Sequence, residues 1–300
     1  MTHVLTLLAD PATRPLDDDT LAVARAALQS AGAAAGASDW LAPGIACDLP
    51  FSGLDAPAAE AAVRASLDGL PVDAGVQPLA GRRKRLLVAD MESTIIGQEM
   101  LDELAEAVGL RAEIAAVTER AMRGELDFED ALRARVGKLA GLPLAQLEAS
   151  SARMTLNPGA RTLVATMKAH GAYTALVSGG FTFFTEQIQA LCGFDHQQAN
   201  VLAIADARLT GEVVPPILGR EAKLAALEKL AGDLGVTAAA ACTVGDGAND
   251  LAMLGAAGLG VAYRAKPKVR EAARFRLDHA DLTGLLYYQG YRQAELVIPD

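Results

Sequence analysis

From Leu86 onward the chain is built of short aliphatic runs, each closed by a polar or glycine-rich turn: LLVA ends at Asp90, YTALV at Ser178, CTV at Gly245 and Asp246, and LGVAY follows one helix later. Continuous rather than alternating apolar character marks strands buried on both faces, as in parallel sheets joined by helical crossovers. The pattern predicts a doubly wound α/β domain, whose ligands bind beyond the carboxyl ends of the strands. The acids, the Ser-Gly-Gly and the GDGAND turn all fall at such ends, so four distant segments are expected to meet in one place. Between the first strand and the second, about 60 residues from Gly97 to Leu156 read as helix throughout. A crossover needs only one helix, so the surplus is expected to pack over the sheet edge as a cap.

Ahead of Leu86 the periodicity differs. A strand (HVLTLLA) leads to a helix from Asp19 to about Ser30. Strand-like pieces run up to Leu49, a helix from Pro57 to about Leu67, and a last strand reads AGVQPL. This order predicts a small α+β domain over 1–80, followed by a larger unit over 81–300. The joint, GRRKR at Gly81–Arg85, reads as a solvated linker that starts a strand.

Composition sharpens this division. Of 300 residues half are hydrophobic, enough to fill two or three compact units. Residues 1–80 carry ten acids against three bases, and so hold seven of the ten net negative charges. An overall charge of −10 argues against a nucleic-acid binder, because a phosphodiester backbone rewards basic patches. Cys47, Cys192 and Cys242 lie too far apart to suggest a zinc pair or a disulfide framework, and they fit a reducing cytoplasm. The acidic start does not resemble a secretion signal, and no apolar stretch approaches the ~20 residues that span a bilayer. A cytoplasmic protein with no membrane partner is expected.

Candidate chemistry begins at LLVADMESTII, where an apolar strand delivers Asp90 and Glu92, then Ser93 and Thr94. Buried carboxylates are costly, so two together imply a use. Side chains alternate along a strand, so Asp90 and Glu92 point the same way if the extended geometry continues. One can then attack while the other moves a proton, and a divalent cation shared by Asp90 and a distant acid would relieve their repulsion. Asp246 in TVGDGANDLAML is that acid by position, with Asn249 and Asp250 one turn further on. A calcium loop starting at Asp246 would need glutamate where Ala257 stands. A dinucleotide fingerprint fails at Asp250. VSGGF supplies Ser178 and backbone N–H groups able to approach anionic oxygens. Lys223 lies on a helix ahead of the Asp246 strand. Taken singly, the glycine turns and the lysine are ordinary. Assembled, they are the parts of phosphoryl transfer through an aspartyl phosphate.

These motifs, LLVADMEST, VSGGF, a lysine ahead of a strand, and VGDGAND, together resemble the haloacid dehalogenase superfamily of phosphohydrolases. Within it they resemble the phosphoserine phosphatase family, from about Arg85 to the C terminus. The resemblance implies an Mg²⁺-dependent hydrolysis of O-phosphoserine that closes serine biosynthesis. Asp90 would be the nucleophile and Glu92 the proton donor and then the base. Ser178, Gly179, Lys223 and Asn249 would hold or frame the phosphoryl group. Mg²⁺ would be bound by Asp90, the Glu92 carbonyl and Asp246, with Thr94, Gly180 and Asp250 in support. In the cap, Glu99, Met122, Phe128 and Arg135 match the positions that recognise the amino-acid part of the substrate. Phosphoserine presents an ammonium and a carboxylate, which an acid and an arginine would distinguish from other phosphate esters. One departure stands out: Glu92 occupies a place where the family usually has aspartate.

Four alternatives stay open at this stage: a phosphatase for another small phosphate ester, a phosphotransferase to an alcohol acceptor, a serine-sensing protein with weak catalysis, and an inactive relative in which Glu92 marks lost activity. The acidic N-terminal unit resembles small amino-acid-binding regulatory domains in element order alone. A homodimer is compatible with the sequence, which does not determine it.

Overall fold

The computed structural model describes residues 1–10, 12, 16–122, 125–219 and 221–299, with backbone alone at 121 and 122. Its N-terminal unit is an antiparallel sheet with two helices on one face. Strand β1 (His3–Ala9) is followed by α1 (Asp18–Ser30), β2 (Ala34–Ala35), β3 (Asp39–Ala42), β4 (Ala46–Ser52), α2 (Ala56–Ser66) and β5 (Val72–Pro78). Both helices begin at an aspartate that caps their free N–H groups. The Asp17 carboxylate accepts from Thr20 N at 2.9 Å, and that of Asp55 from Ala58 N at 2.8 Å. The sheet runs β2-β4-β1-β5, with β3 also on β4.

The second unit starts at β6 (Leu86–Ala89), the central strand of seven. Four helices intervene, α3 (Met100–Ala107), α4 (Arg111–Met122), α5 (Phe128–Gly137) and α6 (Leu144–Ser151), and form the cap. The sheet then resumes through α7 (Ala160–Ala169), β7 (Tyr173–Phe181), α8 (Thr182–Cys192), β8 (His196–Ala205) and β9 (Arg208–Val214). On the other side follow α9 (Ala222–Asp233), β10 (Ala241–Gly245), α10 (Leu251–Ala256), β11 (Leu259–Tyr263), α11 (Pro267–Ala272), β12 (Phe275–Leu277) and α12 (Gly284–Tyr288). Strand order is β12-β11-β10-β6-β7-β8-β9, parallel except for the β8–β9 hairpin. This is the doubly wound α/β architecture, and β6 shows why its strands read as unbroken apolar runs. Leu87 and Ala89 enter the core on the α7 and α8 side, while Leu86 and Val88 pack with Leu227 and Leu230 of α9. Among the described residues no helix is long and apolar enough to cross a membrane.

Two sequence expectations need correction. The segment VSGGF is not a turn that closes a strand: β7 continues through it to Phe181, with its pairing to β8 shifting between Val177 and Phe181. The two glycines form an irregular stretch of strand, which keeps Ser178 in the sheet. The joint GRRKR is not simply solvated either, because Arg82 is 9% exposed. Its guanidinium binds both oxygens of Asp48, at 2.5 and 3.1 Å, and donates to Thr6 Oγ1 and to the carbonyls of Tyr287 and Tyr288. The charge is tolerated in the interior because its donors are distributed over five acceptor atoms. Around it Leu8, Leu41, Ala42 and Ala46 of the first unit share one apolar core with Leu277, Leu282, Leu285 and Leu286 of the second.

Candidate active site

The parallel strands bring their carboxyl ends together, and the acids sit where the strands stop. Asp90 still donates its N–H to Val244 O at 3.0 Å, as a strand residue would. After Asp90 the chain leaves the strand for a single wide helical turn over Met91–Ile95, in which only Glu92 (extended) and Ser93 (left-handed, φ +53°) depart from helical geometry, so the strand alternation expected to carry Asp90 and Glu92 does not continue. That turn aims Ser93 Oγ at Glu99, to which it donates at 2.8 Å, while Met100 N donates to Glu92 Oε1 at 2.9 Å. The start of the cap is thus fastened to Glu92 by one hydrogen bond and to Ser93 beside it by another.

Asp90 is buried, and its Oδ1 accepts from Met91 N and from Lys223 Nζ, each at 2.8 Å. Its Oδ2 has no described partner, so one carboxylate oxygen remains for other chemistry. Lys223, expected on a helix surface if judged alone, is 3% exposed and also binds Asp250 Oδ1 at 2.5 Å. Asp250 fixes the turn as well, accepting from Gly247 N at 2.9 Å. Gly245 makes this geometry possible, since a Cβ there would fall 2.3 Å from the Asp250 Cγ. Carboxylate oxygens of Asp90, Asp246 and Asp250 lie within 4.8 Å of one another. All three donors are hard anionic oxygens, the set that suits Mg²⁺, so the residues fit that ion. The sequence reading had Asp250 only in support, and the geometry draws its side chain into the acid cluster.

Electrostatics follow from this crowding. Burial, against the pull of Lys223, pushes the Asp90 carboxyl up to about 7. Burial, reinforced by the charge of Glu99, pushes Glu92 up to about 8, so in the free protein it is largely a neutral acid at pH 7. Burial also raises Asp246, opposed by Lys266. Desolvation lowers Lys223, but Asp90 and Asp250 outweigh it and hold the ammonium above its ordinary range.

Beside Glu92 the strand carries Ser178, Gly179 and Gly180. Ser178 Oγ accepts from Gly180 N at 3.0 Å. A Cβ on Gly180 would come within 3.1 Å of the Glu92 carboxyl, so the absence of a side chain there leaves the room that glutamate takes. Half-buried Asn249 and Phe128 both approach Gly179: a Cβ there would lie 3.9 Å from Asn249 Nδ2 and 3.7 Å from Phe128 Cζ. Arg135 is half-buried and its one described hydrogen bond is to Ala131 O at 3.2 Å. Burial lowers its pKa, opposed by Asp102, Glu92 and Glu99, whereas exposed Arg133 and Lys138 pair with Glu129 and Glu113. Arg135 is thereby set apart from the solvated face of its helix. Thr94 is fully buried, and its Oγ1 has no described partner. The Met122 side chain lies outside the described residues.

Two participants were not singled out from the sequence. Asn200 donates to Gly179 O at 2.8 Å and accepts from Leu218 N at 2.7 Å, bracing the glycine stretch. Lys266 lies 3.2 Å from Asp246 and 3.7 Å from Glu99. Neither belongs to a motif: one is a polar residue in a strand, the other one of two lysines in AKPK.

A family model described as haloacid dehalogenase-like hydrolase matches residues 87–255. A curated phosphoserine phosphatase of Polaromonas sp. is 45% identical over 224 residues, covering 73% of this chain and 95% of that protein. A phosphoserine phosphatase of Streptomyces coelicolor is 43% identical over 260 residues, 86% of this chain; the chain spans only 63% of the length of that relative. The crystal structure of a hydrolase of this family from Salmonella enterica serovar Typhi superposes with a TM-score of 0.84 at 30% identity, covering 95% of this chain and 98% of that one. With an aspartate-ended central strand, a four-helix cap and a buried lysine between two aspartates already in place, these likenesses settle the family: the chain belongs to the haloacid dehalogenase-like hydrolases, among relatives called phosphoserine phosphatase.

Proposed function

We propose that the protein hydrolyses O-phospho-L-serine to L-serine and phosphate through a phosphorylated Asp90. The observation that carries the substrate choice is the pair Glu99 and Arg135. Both stand on the cap side of Glu92, and Arg135 is a half-buried guanidinium with no acid in ion-pair contact among the described residues. A substrate that brings an ammonium and a carboxylate complements both. The names of the curated relatives support the same reading.

The chemistry assigns one task to each group. Asp90 Oδ2 attacks phosphorus, and the bond from phosphorus to the seryl oxygen breaks. Glu92, neutral before the reaction, gives its proton to that oxygen, so serine leaves as an alcohol. The resulting Glu92 carboxylate then takes a proton from water as the water oxygen attacks phosphorus. The bond to Asp90 breaks, and both acids return to their starting states. Lys223, the Ser178 hydroxyl and the backbone of Gly179 and Gly180 hold the phosphoryl oxygens throughout, and a preformed arrangement of that kind stabilises charge most in the transition state. Asp90, Asp246 and the Glu92 carbonyl, with Asp250 beside them, would hold Mg²⁺, which supplies neutralisation of phosphoryl charge.

The experiment is phosphate release from L-phosphoserine with Mg²⁺, beside phosphoglycolate and a sugar phosphate, for the native chain and for Asp90→Asn, Glu99→Gln and Arg135→Gln. Preference for phosphoserine, abolished by the first variant and eroded through KM by the other two, supports the proposal. Turnover of the panel but not of phosphoserine would remove the substrate and keep the nucleophile.

A further inference from the structure

A cavity of about 430 Å³ lies between the two units and is lined by none of the active-site residues. The end of α2 and residues up to Ala74 form one wall, and Arg270, Arg276 and their neighbours form the other. We propose that this cavity is a second ligand site, for a small dianion bearing carboxylate or phosphoryl oxygens.

Three guanidinium groups line it, and their bookkeeping does not balance. Arg64 is neutralised by Glu60 at 2.5 Å, and Arg270 by Asp278 at 2.8 Å. Half-buried Arg276 has no acid within ion-pair distance among the described residues, and the only described hydrogen bond of its guanidinium is a long one, Nε to Ala273 O at 3.5 Å. None of the acids that share the lining lies within ion-pair distance of it. Asp73 is buried and accepts the N–H groups of Asp278, His279 and Ala280, at 2.8, 3.0 and 2.8 Å. Asp278 is committed to Arg270, and Asp68, the remaining acid of the lining, is turned to solvent and makes no described contact with Arg276. Burial, then the like charges of Arg64 and Arg270, lower the Arg276 pKa against the opposing pull of Asp278 and Glu60, and an incoming anion would add to that pull. A planar guanidinium offers two parallel donors to either kind of oxyanion. The volume suits a small molecule, and both walls would be engaged at once.

The test is calorimetric titration of the full, metal-free chain with malonate and, separately, with inorganic phosphate. Binding is expected to weaken by about tenfold or more in Arg276→Met and to be largely restored in Arg276→Lys. Ala74→Glu, which sets a carboxylate into the cavity from the opposite wall, is expected to abolish the same component and guards against a misfolded arginine variant. Phosphate binding that survives these substitutions belongs to the active site. Arg276-dependent binding of malonate alone identifies a carboxylate ligand, and of phosphate alone a phosphoryl one. No Arg276-dependent binding of either ion up to about 20 mM overturns the proposal. No turnover is read, so this outcome is independent of the proposed hydrolysis.

Discussion

The carboxyl group of Glu92 occupies the space that any side chain at Gly180 would need, with Cδ and both oxygens 3.1 Å from the position of the missing Cβ. The longer acid and the glycine are therefore one feature. Gly180→Ala is expected to push the carboxyl aside by a few tenths of an ångström and lower kcat by roughly tenfold, since errors near 1 Å cost ~100-fold. In a Glu92→Asp background the same alanine is expected to cost much less. Steady-state rates of the four proteins give the coupling, and additive effects would mean that the two positions do not communicate.

Lys223 neutralises Asp90 and Asp250, and all three side chains are buried. Lys223→Met is expected to destabilise the protein by about 3 kcal/mol at pH 8, because two carboxylates lose their buried partner. At pH 5 the loss is expected to be smaller, since Asp90, pushed up to about 7 even beside the lysine, can take a proton instead. Urea midpoints at the two pH values check this, and equal losses would contradict it.

Glu92 predicts a pH dependence of its own. Its ordinary value is 4.5 and burial pushes it up to about 8, so the metal-free fold binds a proton that the unfolded chain releases. The sign follows: the stabilisation is complete below about pH 4.5 and is lost as pH rises towards 8. Metal-free Glu92→Gln, which cannot ionise, is expected to show a flatter stability profile between pH 5 and 8. Parallel profiles would place the titration elsewhere.

Arg82 is expected to matter for stability and little for chemistry. Arg82→Met leaves Asp48 buried without its partner and two tyrosine carbonyls without this donor, at a cost of ~3–5 kcal/mol. Adding Asp48→Asn is expected to recover part of that loss. A single variant with unchanged denaturation midpoint would show that the seam relaxes around it.

Much of this site was legible because parallel strands advertise themselves. LLVA, CTV and LGVAY could only be strands covered on both faces, and the residues that ended them had to share an edge. The helical surplus after Gly97 likewise had nowhere to go but a cap. Asn200 and Lys266 were invisible because their roles arise from tertiary approach, not from periodicity or a motif. Arg82 was misread for a related reason. Within GRRKR nothing distinguishes one arginine from the next, and only the fold supplies Asp48 from 34 residues away to draw it inward. VSGGF misled because glycines weaken a strand without always ending it.

The shared seam also bears on inheritance. A protein whose two halves meet through a buried arginine and a common set of leucines cannot trade one half by simple recombination. A new N-terminal partner would arrive without the aspartate and threonine that Arg82 requires, and the hybrid would carry a stranded charge at its centre. Lineages that dispense with the first 80 residues are therefore expected to have replaced this arginine as well, so the residue at this one position records whether the two halves have travelled together.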